Sequence, residues 1–481
     1  MNPNSKRIVI EPLTRVEGHG KVTILLDENL QVESARLHIV EFRGFERFVQ
    51  GRPIREVPVL VQRLCGICPV SHHLCAAKAV DGILGIDRLT PTGEKMRRLM
   101  HYGQIFQSHA LHFFYLAAPD LLFGFEAPVE KRSILGVIAE HPDLALQGVK
   151  MRKFGQEVIR ATAGKKVHGT GAIPGGINKS LSLAERDALL ADLDAMLVWS
   201  RKAVALARDY TLRDFEATAS FGSFKSNHLA LVRTDGAMDL YDGRLRAIDS
   251  NGVKLLDQVA PGSYLEVLAE EVRPWSYMKF PYLRQLGAAD GWFRVGPLAR
   301  VNVCDYIDTP EAELARRDFL ALCGGGPSNA TMAYHWARMI ELLHAAEVIA
   351  RLLDDPDLQG DDRIAPPGAR RGEFVAMLEA PRGTLTHHYR VDDDELVTMA
   401  NLIVSTTCNN EAMNRAVRRI AEERLSGQAV ITEGLLNDIE VGIRAYDPCL
   451  SCATHALGQM PLEVTLEGPD GVELDRRTRG S

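Results

Sequence analysis

Apolar and polar positions alternate at the start of the chain and then settle into helical spacing. Arg7-Ile8-Val9-Ile10 is short and β-branched, and Lys21-Val22-Thr23-Ile24-Leu25-Leu26 follows a Gly-rich turn. Asp27-Glu28-Asn29 then turns the chain into a run from Val32 to Phe42, which predicts a small antiparallel sheet. From Val57 onward, residues 57–80, 92–118 and 130–160 carry apolar side chains three and four apart, the mark of amphipathic helices. A further helix fits Leu183 to Arg208, with Ser180 or Ser182 as its cap. Residues 210–330 mix Asp242-Gly243 and Asn251-Gly252 turns with short strand-like runs and Cys323-Gly324-Gly325-Gly326-Pro327, and read as an insertion around a helical core. Helix returns at Met332–Leu353, where Met339, Leu342, Ala346, Ile349 and Leu353 form one stripe that belongs in a core. Asp354-Asp355-Pro356-Asp357 ends it, a polar loop (355–371) leads into strand-like Glu373–Leu378, and a last helical stretch covers about 409–424. The fold class expected is mainly α with peripheral β (α+β), a helical core with a small N-terminal antiparallel sheet.

Length and charge narrow the function only a little. A chain of 481 residues suggests about three domains on length alone, or one large fused core. No internal repeat and no sharp boundary are visible. The net charge of −7 argues against nucleic acid or an anionic membrane as partner. No run of about 18 apolar residues offers a transmembrane helix. Met1-Asn2-Pro3-Asn4-Ser5-Lys6 lacks the apolar region of a signal peptide, so a cytoplasmic location is expected.

The candidate chemistry lies at the two ends. Arg63-Leu64-Cys65-Gly66-Ile67-Cys68-Pro69-Val70-Ser71-His72 holds one Cys-x-x-Cys pair, and Asp447-Pro448-Cys449-Leu450-Ser451-Cys452-Ala453-Thr454-His455 holds the other. Four thiolates suit soft or borderline metals such as nickel, zinc and iron. A small zinc module closes its pairs over about 12–20 residues, whereas these stand roughly 380 apart, so the two ends must fold together. Either pair alone could be a redox dithiol or half a zinc site. Cys75, Cys304, Cys323 and Cys408 read as buried small apolar residues, Cys75 lying near the first pair without being a ligand.

With their flanks, the two pairs resemble those of the large subunit of [NiFe]-hydrogenases, whose pattern is Arg-x-Cys-Gly-x-Cys-x-x-x-His near the start and Asp-Pro-Cys-x-x-Cys-x-x-His near the end. Further stretches of the resemblance fall in order between them: Thr14-Arg15-Val16-Glu17-Gly18-His19, Arg43-Gly44-Phe45-Glu46, Ser108-His109-Ala110-Leu111-His112-Phe113-Phe114, Pro174-Gly175-Gly176 and Glu379-Ala380-Pro381-Arg382-Gly383. Val61 to His73, Gly383 to Tyr389 and Tyr446 to Pro461 are most similar to the cytoplasmic, NAD-reducing bidirectional type.

The resemblance implies a Ni–Fe centre with carbon monoxide and cyanide on the iron, Cys65 and Cys449 binding nickel terminally and Cys68 and Cys452 bridging to iron. Splitting dihydrogen heterolytically leaves a proton that needs a base. The resemblance offers two, the Cys449 sulfur and the Arg382 guanidine, and a guanidine with a pKa above about 12 suits electrostatic positioning better. Asp447 is the expected partner of Arg382, and Pro381 shapes the same wall. Glu17 matches the carboxylate that passes the proton outward, a role burial can tune by raising a carboxylate pKa. His72, one helical turn past Cys68, could donate to a bridging sulfur and tune it. Thr406 matches a hydroxyl that meets a cyanide. Glu46 matches a ligand of a structural magnesium or similar hard cation, with the His455 imidazole as its partner, although hard cations prefer oxygen.

One departure stands out: many members of the family carry His-Asp-His where this chain has Gln107-Ser108-His109, so the roof loses a carboxylate. Leu462 to Leu474, after His455, reads as a β-hairpin, and the resemblance implies that residues 456–481 are an extension removed by a maturation endopeptidase once nickel-insertion chaperones have acted. Residues 1–455 would then form one hydrogenase large-subunit domain, and this chain is its unprocessed precursor. The implied partners are diaphorase subunits carrying FMN, Fe–S clusters and NAD, together with an Fe–S small subunit. Alternatives are a hydrogen-sensing regulatory subunit, which typically lacks the tail, and a deazaflavin- or ferredoxin-linked enzyme. Gly324-Gly325-Gly326 lacks the strand–turn–helix setting of a dinucleotide site.

Overall fold

Strands come first in the chain, as the alternation predicts. In the computed structural model, which describes residues 6–42, 44–428, 430–453, 462–467 and 473–479, β1 (Lys6–Ile10), β2 (Gly20–Leu26) and β3 (Val32–Ile39) form an antiparallel sheet in that order. Val22, Ile24 and Leu26 alternate inward on β2, which ties the sheet to the core.

The helical stretch from Val57 is broken where the first cysteine pair interrupts it. Short turns over Val57–Leu60 and Val61–Leu64 lead to the pair, and α1 (Pro69–Ile83) starts directly behind it with Pro69 at its first position. A proline is tolerated there because that N–H has no helical partner in any case. Next, α2 (Pro91–Leu111) is capped by the Thr90 hydroxyl, which accepts from the Gly93 N–H, and runs on through a π-turn at His112–Ala117. His141-Pro142 splits the third predicted stretch, so α3 (Pro142–Ala163) stands as a separate helix. The fourth, α4 (Leu183–Arg213), begins at Ser182 rather than Ser180, in a reciprocal capping box with Glu185, and extends five residues beyond the expected end.

Within the mixed region, β4 (Asn227–Val232), β5 (Arg244–Ile248), β6 (Lys254–Val259) and β7 (Phe293–Arg294) make a sheet ordered β7-β4-β5-β6. The short helix α5 (Pro297–Val303) follows, and α6 (Ala333–Leu353) then crosses the centre of the molecule against α2 and α4. Met339, Leu342, Ala346, Ile349 and Leu353 are all fully buried, as the stripe predicts. Burying one such side chain stabilises the fold by about 1.5–3 kcal/mol, so this helix anchors the core.

The last part holds elements that the pattern alone missed. Behind β8 (Glu373–Ala380) come β9 (Gly383–Val391) and β10 (Val397–Ile403), one antiparallel sheet of three. Almost every residue of β9 is buried, so it lacks the alternation that marks a half-exposed strand. After α7 (Asn410–Arg424), which matches the predicted stretch, an unpredicted helix, α8 (Glu433–Ala445), carries the chain to the second pair. The expected hairpin is present as β11 (Leu462–Glu467) and β12 (Glu473–Arg479), paired from Leu462↔Arg479 to Glu467↔Glu473. No helix among the described residues is long and apolar enough to cross a membrane.

Candidate metal centre

The two ends of the chain meet at one buried point. The Sγ atoms of Cys65, Cys68, Cys449 and Cys452 all lie within 4.8 Å of one another, and all four residues are buried. Cys65 and Cys449 approach to 3.3 Å, Cys68 and Cys452 to 3.7 Å, and Cys449 and Cys452 to 2.6 Å.

The first pair builds itself locally. Cys65 Sγ accepts from the backbone N–H groups of Ile67 (3.2 Å) and Cys68 (3.1 Å). Cys68 sits at the N-terminus of α1, where the helix dipole favours negative charge. Hydrogen bonds from Cys449, Cys452 and Cys65 hold the Cys68 thiol well below its ordinary value against the cost of burial, with His72 adding to them.

The second pair is built from far away. It follows the C-terminus of α8, and Asp447 makes the turn in the left-handed region at φ 53°, which aspartate tolerates better than most residues. The Leu450 N–H donates to the Glu17 carbonyl at 3.0 Å, and Glu17 and Cys449 form an isolated parallel bridge. The Cys449 thiol donates to Glu17 Oε2 at 2.9 Å, and Ser451 holds the same carboxylate through its N–H (3.2 Å) and its hydroxyl. Gly18 at φ +83° permits this approach, since a Cβ there would stand 2.7 Å from the Ser451 nitrogen. Burial raises the Cys449 and Cys452 thiols well above their ordinary value.

Over the sulfurs, Arg382 donates from Nε to the Asp447 carbonyl at 2.5 Å and from Nη2 to Asp447 Oδ1 at 3.0 Å, the pairing expected from the sequence. Burial opposes the charge on Arg382, but Asp447 and the Cys449, Cys68 and Cys65 sulfurs outweigh it and hold the guanidinium protonated. That disposition fits a fixed cation rather than a base. Burial raises the Asp447 carboxyl, and its Oδ2 has no hydrogen-bond partner among the described residues. Ser108 lies 3.5 Å from Arg382 Nη1 and restrains it only weakly. Pro381 is buried on the same wall.

His72 Nδ1 stands 3.2 Å from His387 Nε2, and His387 Nδ1 is 2.7 Å from the Tyr389 hydroxyl. His387 and Tyr389, on the unpredicted strand β9, thus orient the imidazole beside Cys68; no local signal singled them out for that role. Thr406 Oγ1 accepts from the Cys449 N–H at 3.0 Å. Cys75 points away from the four sulfurs and donates to the Ala376 carbonyl at 3.4 Å. Glu46 is buried, accepts from the Leu402 N–H at 2.9 Å and lies 3.6 Å from Lys279 Nζ, and burial raises its carboxyl. His455 lies outside the described residues.

The donor set fits a soft-metal centre. Four enclosed sulfurs stand at separations that metals can span, with backbone donors aimed at one of them and no disulfide formed.

Comparison with known proteins agrees with this chemistry. A HoxL-like family model matches residues 7–42, and the nickel-dependent hydrogenase model matches residues 43–126 and 246–455. The beta subunit of the NAD-reducing hydrogenase HoxS of Cupriavidus necator is 50% identical over 488 residues, covering 99% of this chain and 100% of that protein. One subunit of the F420-non-reducing hydrogenase of Methanothermobacter thermautotrophicus is 41% identical over 465 residues, 96% of this chain and 97% of that one. Among solved structures, an NAD+-reducing [NiFe]-hydrogenase in the H2-reduced state superimposes with a TM-score of 0.92 at 57% identity, covering 94% of this chain and 99% of that one. The Ni-Fe-Se hydrogenase of D. vulgaris Hildenborough shares the fold at 23% identity and a TM-score of 0.74, covering 94% and 100%. This chain, with both cysteine pairs inside the matched residues, belongs to the nickel-dependent hydrogenase family.

Proposed function

We propose that this chain is the catalytic large subunit of an NAD-linked [NiFe]-hydrogenase that splits and forms dihydrogen reversibly. The observation that carries the reading is the convergence of four buried sulfurs from opposite ends of the chain beneath a paired guanidinium. Cys65, Cys68, Cys449 and Cys452 would hold nickel and iron, the iron with its carbon monoxide and cyanide ligands. Bound there, the metals supply the redox chemistry of dihydrogen.

The chain's own residues handle the proton and the charge. Cys449 Sγ receives the proton, because Glu17 Oε2 stands 2.9 Å away to take it on. Ser451 keeps that carboxylate facing the sulfur, and the half-buried position of Glu17 leads outward from the enclosed site. Arg382 stays protonated and stabilises negative charge beside the sulfurs, with Asp447 fixing its direction. His72, oriented by His387, tempers the Cys68 sulfur. Thr406 positions the Cys449 backbone.

Glu46 and His455 would hold a hard cation such as magnesium. Glu46 offers a buried carboxylate oxygen, the donor type such an ion prefers, and its neighbour Lys279 is also held by Glu270 (3.2 Å) and Asn401 (3.2 Å). Residues 1–455 form the hydrogenase unit, and 456–481 are the extension removed in maturation. FMN-containing diaphorase subunits, joined to this chain through an Fe–S small subunit, would carry electrons to NAD in the cytoplasm.

The test is purification of the processed complex from its host, a nickel and iron count, and NAD reduction under dihydrogen. Stoichiometric nickel with NAD reduction is expected. A processed complex holding zinc alone would end the reading, and reduction of ferredoxin or a deazaflavin instead would change the acceptor.

A further inference from the structure

Behind Arg382 stands a second buried guanidinium. Arg300, on α5, is fully enclosed and uses all five of its N–H groups. Nε and Nη2 grip Glu341 on α6 at 2.5 and 2.7 Å. Nη1 donates to Glu379 Oε2 at 2.7 Å and to the Ala380 carbonyl at 2.9 Å, and Nη2 donates also to the Pro381 carbonyl at 3.2 Å. Three of the five bonds therefore end on the three residues immediately before Arg382. The other side closes as well: Glu341 Oε2 accepts from His109 Nε2 at 2.9 Å, and His109 follows Ser108, whose hydroxyl faces Arg382. The first turn of α5 presses on the same backbone, since a Cβ on Gly296 would stand 2.7 Å from the Arg382 carbonyl.

The cluster is charged. Arg300 holds the Glu341 carboxyl down to about 2 although burial opposes it, and Glu341 in turn helps hold Arg300 protonated. Enclosed ion pairs add little stability compared with apolar residues of the same volume. Their use lies in geometry, because a planar guanidinium with five committed donors fixes directions that a lysine with three cannot.

We propose that Arg300 is a positioning residue for the hydrogen chemistry: it locks the turn 379–381 and thereby aims Arg382 over the four sulfurs. The proposal rests on the role given to Arg382 above. Arg300 touches neither the sulfurs nor a substrate, so its effect must pass through Arg382.

A double-mutant cycle on the processed, metal-loaded complex tests this, using Arg300→Lys, Arg382→Lys and the pair, with turnover scored per bound nickel. Arg300→Lys is expected to lower kcat by about 10- to 100-fold, the cost of a small misplacement, with little change in KM for dihydrogen. In the Arg382→Lys background the same change is expected to cost less than about twofold, because residues acting as a unit are not additive. A second readout needs no metal: in the nickel-free chain, Arg300→Lys should speed amide exchange across residues 379–384 by at least about 10-fold. Should Arg300→Lys fail to fold, Glu379→Gln, which keeps shape and an acceptor, takes its place in the cycle. Additive losses, wild-type turnover by the variant, or unchanged exchange would overturn the proposal. Wild-type turnover by Arg382→Lys would instead overturn the role of Arg382 itself.

Discussion

The two cysteine pairs share a spacing but not a way of being built. The first takes its geometry from its own neighbourhood: backbone donors from Ile67 and Cys68, and a helix that starts at once behind it. The second leans on partners hundreds of residues away, above all Glu17, 432 positions earlier, and Thr406. The first meets the positive end of a helix and the second the negative end, with carboxylates beside it. In the proposed mechanism, such a site has an electrostatically settled side and a side where a proton is held and passed on.

The largest break in that contrast comes from removing the sulfur at the working side. Cys449→Ala should abolish nickel binding and lower activity by at least about a thousandfold, measured as nickel per chain and dihydrogen uptake. Glu17→Gln keeps the shape and the Ser451 contacts while removing the proton acceptor. It should cost about 100- to 1,000-fold in turnover at unchanged nickel content, and full turnover would show that protons leave by another route.

Two glycines sharpen the comparison without touching a ligand. Gly66, inside the first pair, has open space where a Cβ would go, so Gly66→Ala should shift stability by less than about 1 kcal/mol. Gly18 combines φ +83° with the close approach to Ser451, so Gly18→Ala should cost about 2–3 kcal/mol and lower Tm by several degrees. Equal effects would mean that the second pair does not depend on the head of the chain.

The response of the scaffold behind the first pair to acid is expected to be modest and spread over several residues. His73, on α1, accepts from the Ala172 N–H at Nε2, and burial lowers its pKa to about 4; His101, on α2, is likewise lowered to about 4 by burial. An imidazole held neutral in the fold binds its proton only after unfolding. Its contribution is present above the ordinary value of 6.5 and fades as pH falls toward 4. Stability should therefore fall between pH 7 and pH 5, by about 1–2 kcal/mol per histidine at the lower pH, and Tm should fall with it. A His73→Gln variant should show a shallower slope than the parent, and identical slopes would refute the assignment.

Much of this was legible in the residues. The N-terminal strands and the capped helix behind Ser182 follow from periodicity, because a half-exposed element must show one apolar face, and the stripe of α6 follows from its three- and four-residue spacing although that helix is buried nearly all round. β9 escaped because burial on both faces erases that period, and with it went the orientation of His72 by His387 and Tyr389. The pairing of Arg382 with Asp447 could be anticipated from the motifs, whereas Arg300 and Glu341 sit among residues that carry no local mark.

By itself, then, the order of residues determined the candidate ligand atoms, the two chelating spacings and the helix that polarises the first pair, since all of these are contacts between near neighbours. Only the tertiary structure decided that Glu17 faces Cys449, that Asp447 and the turn 379–381 hold Arg382 from two sides, and that four sulfurs share one enclosed point. Those are contacts between segments far apart in the chain, and packing, not local periodicity, selects them.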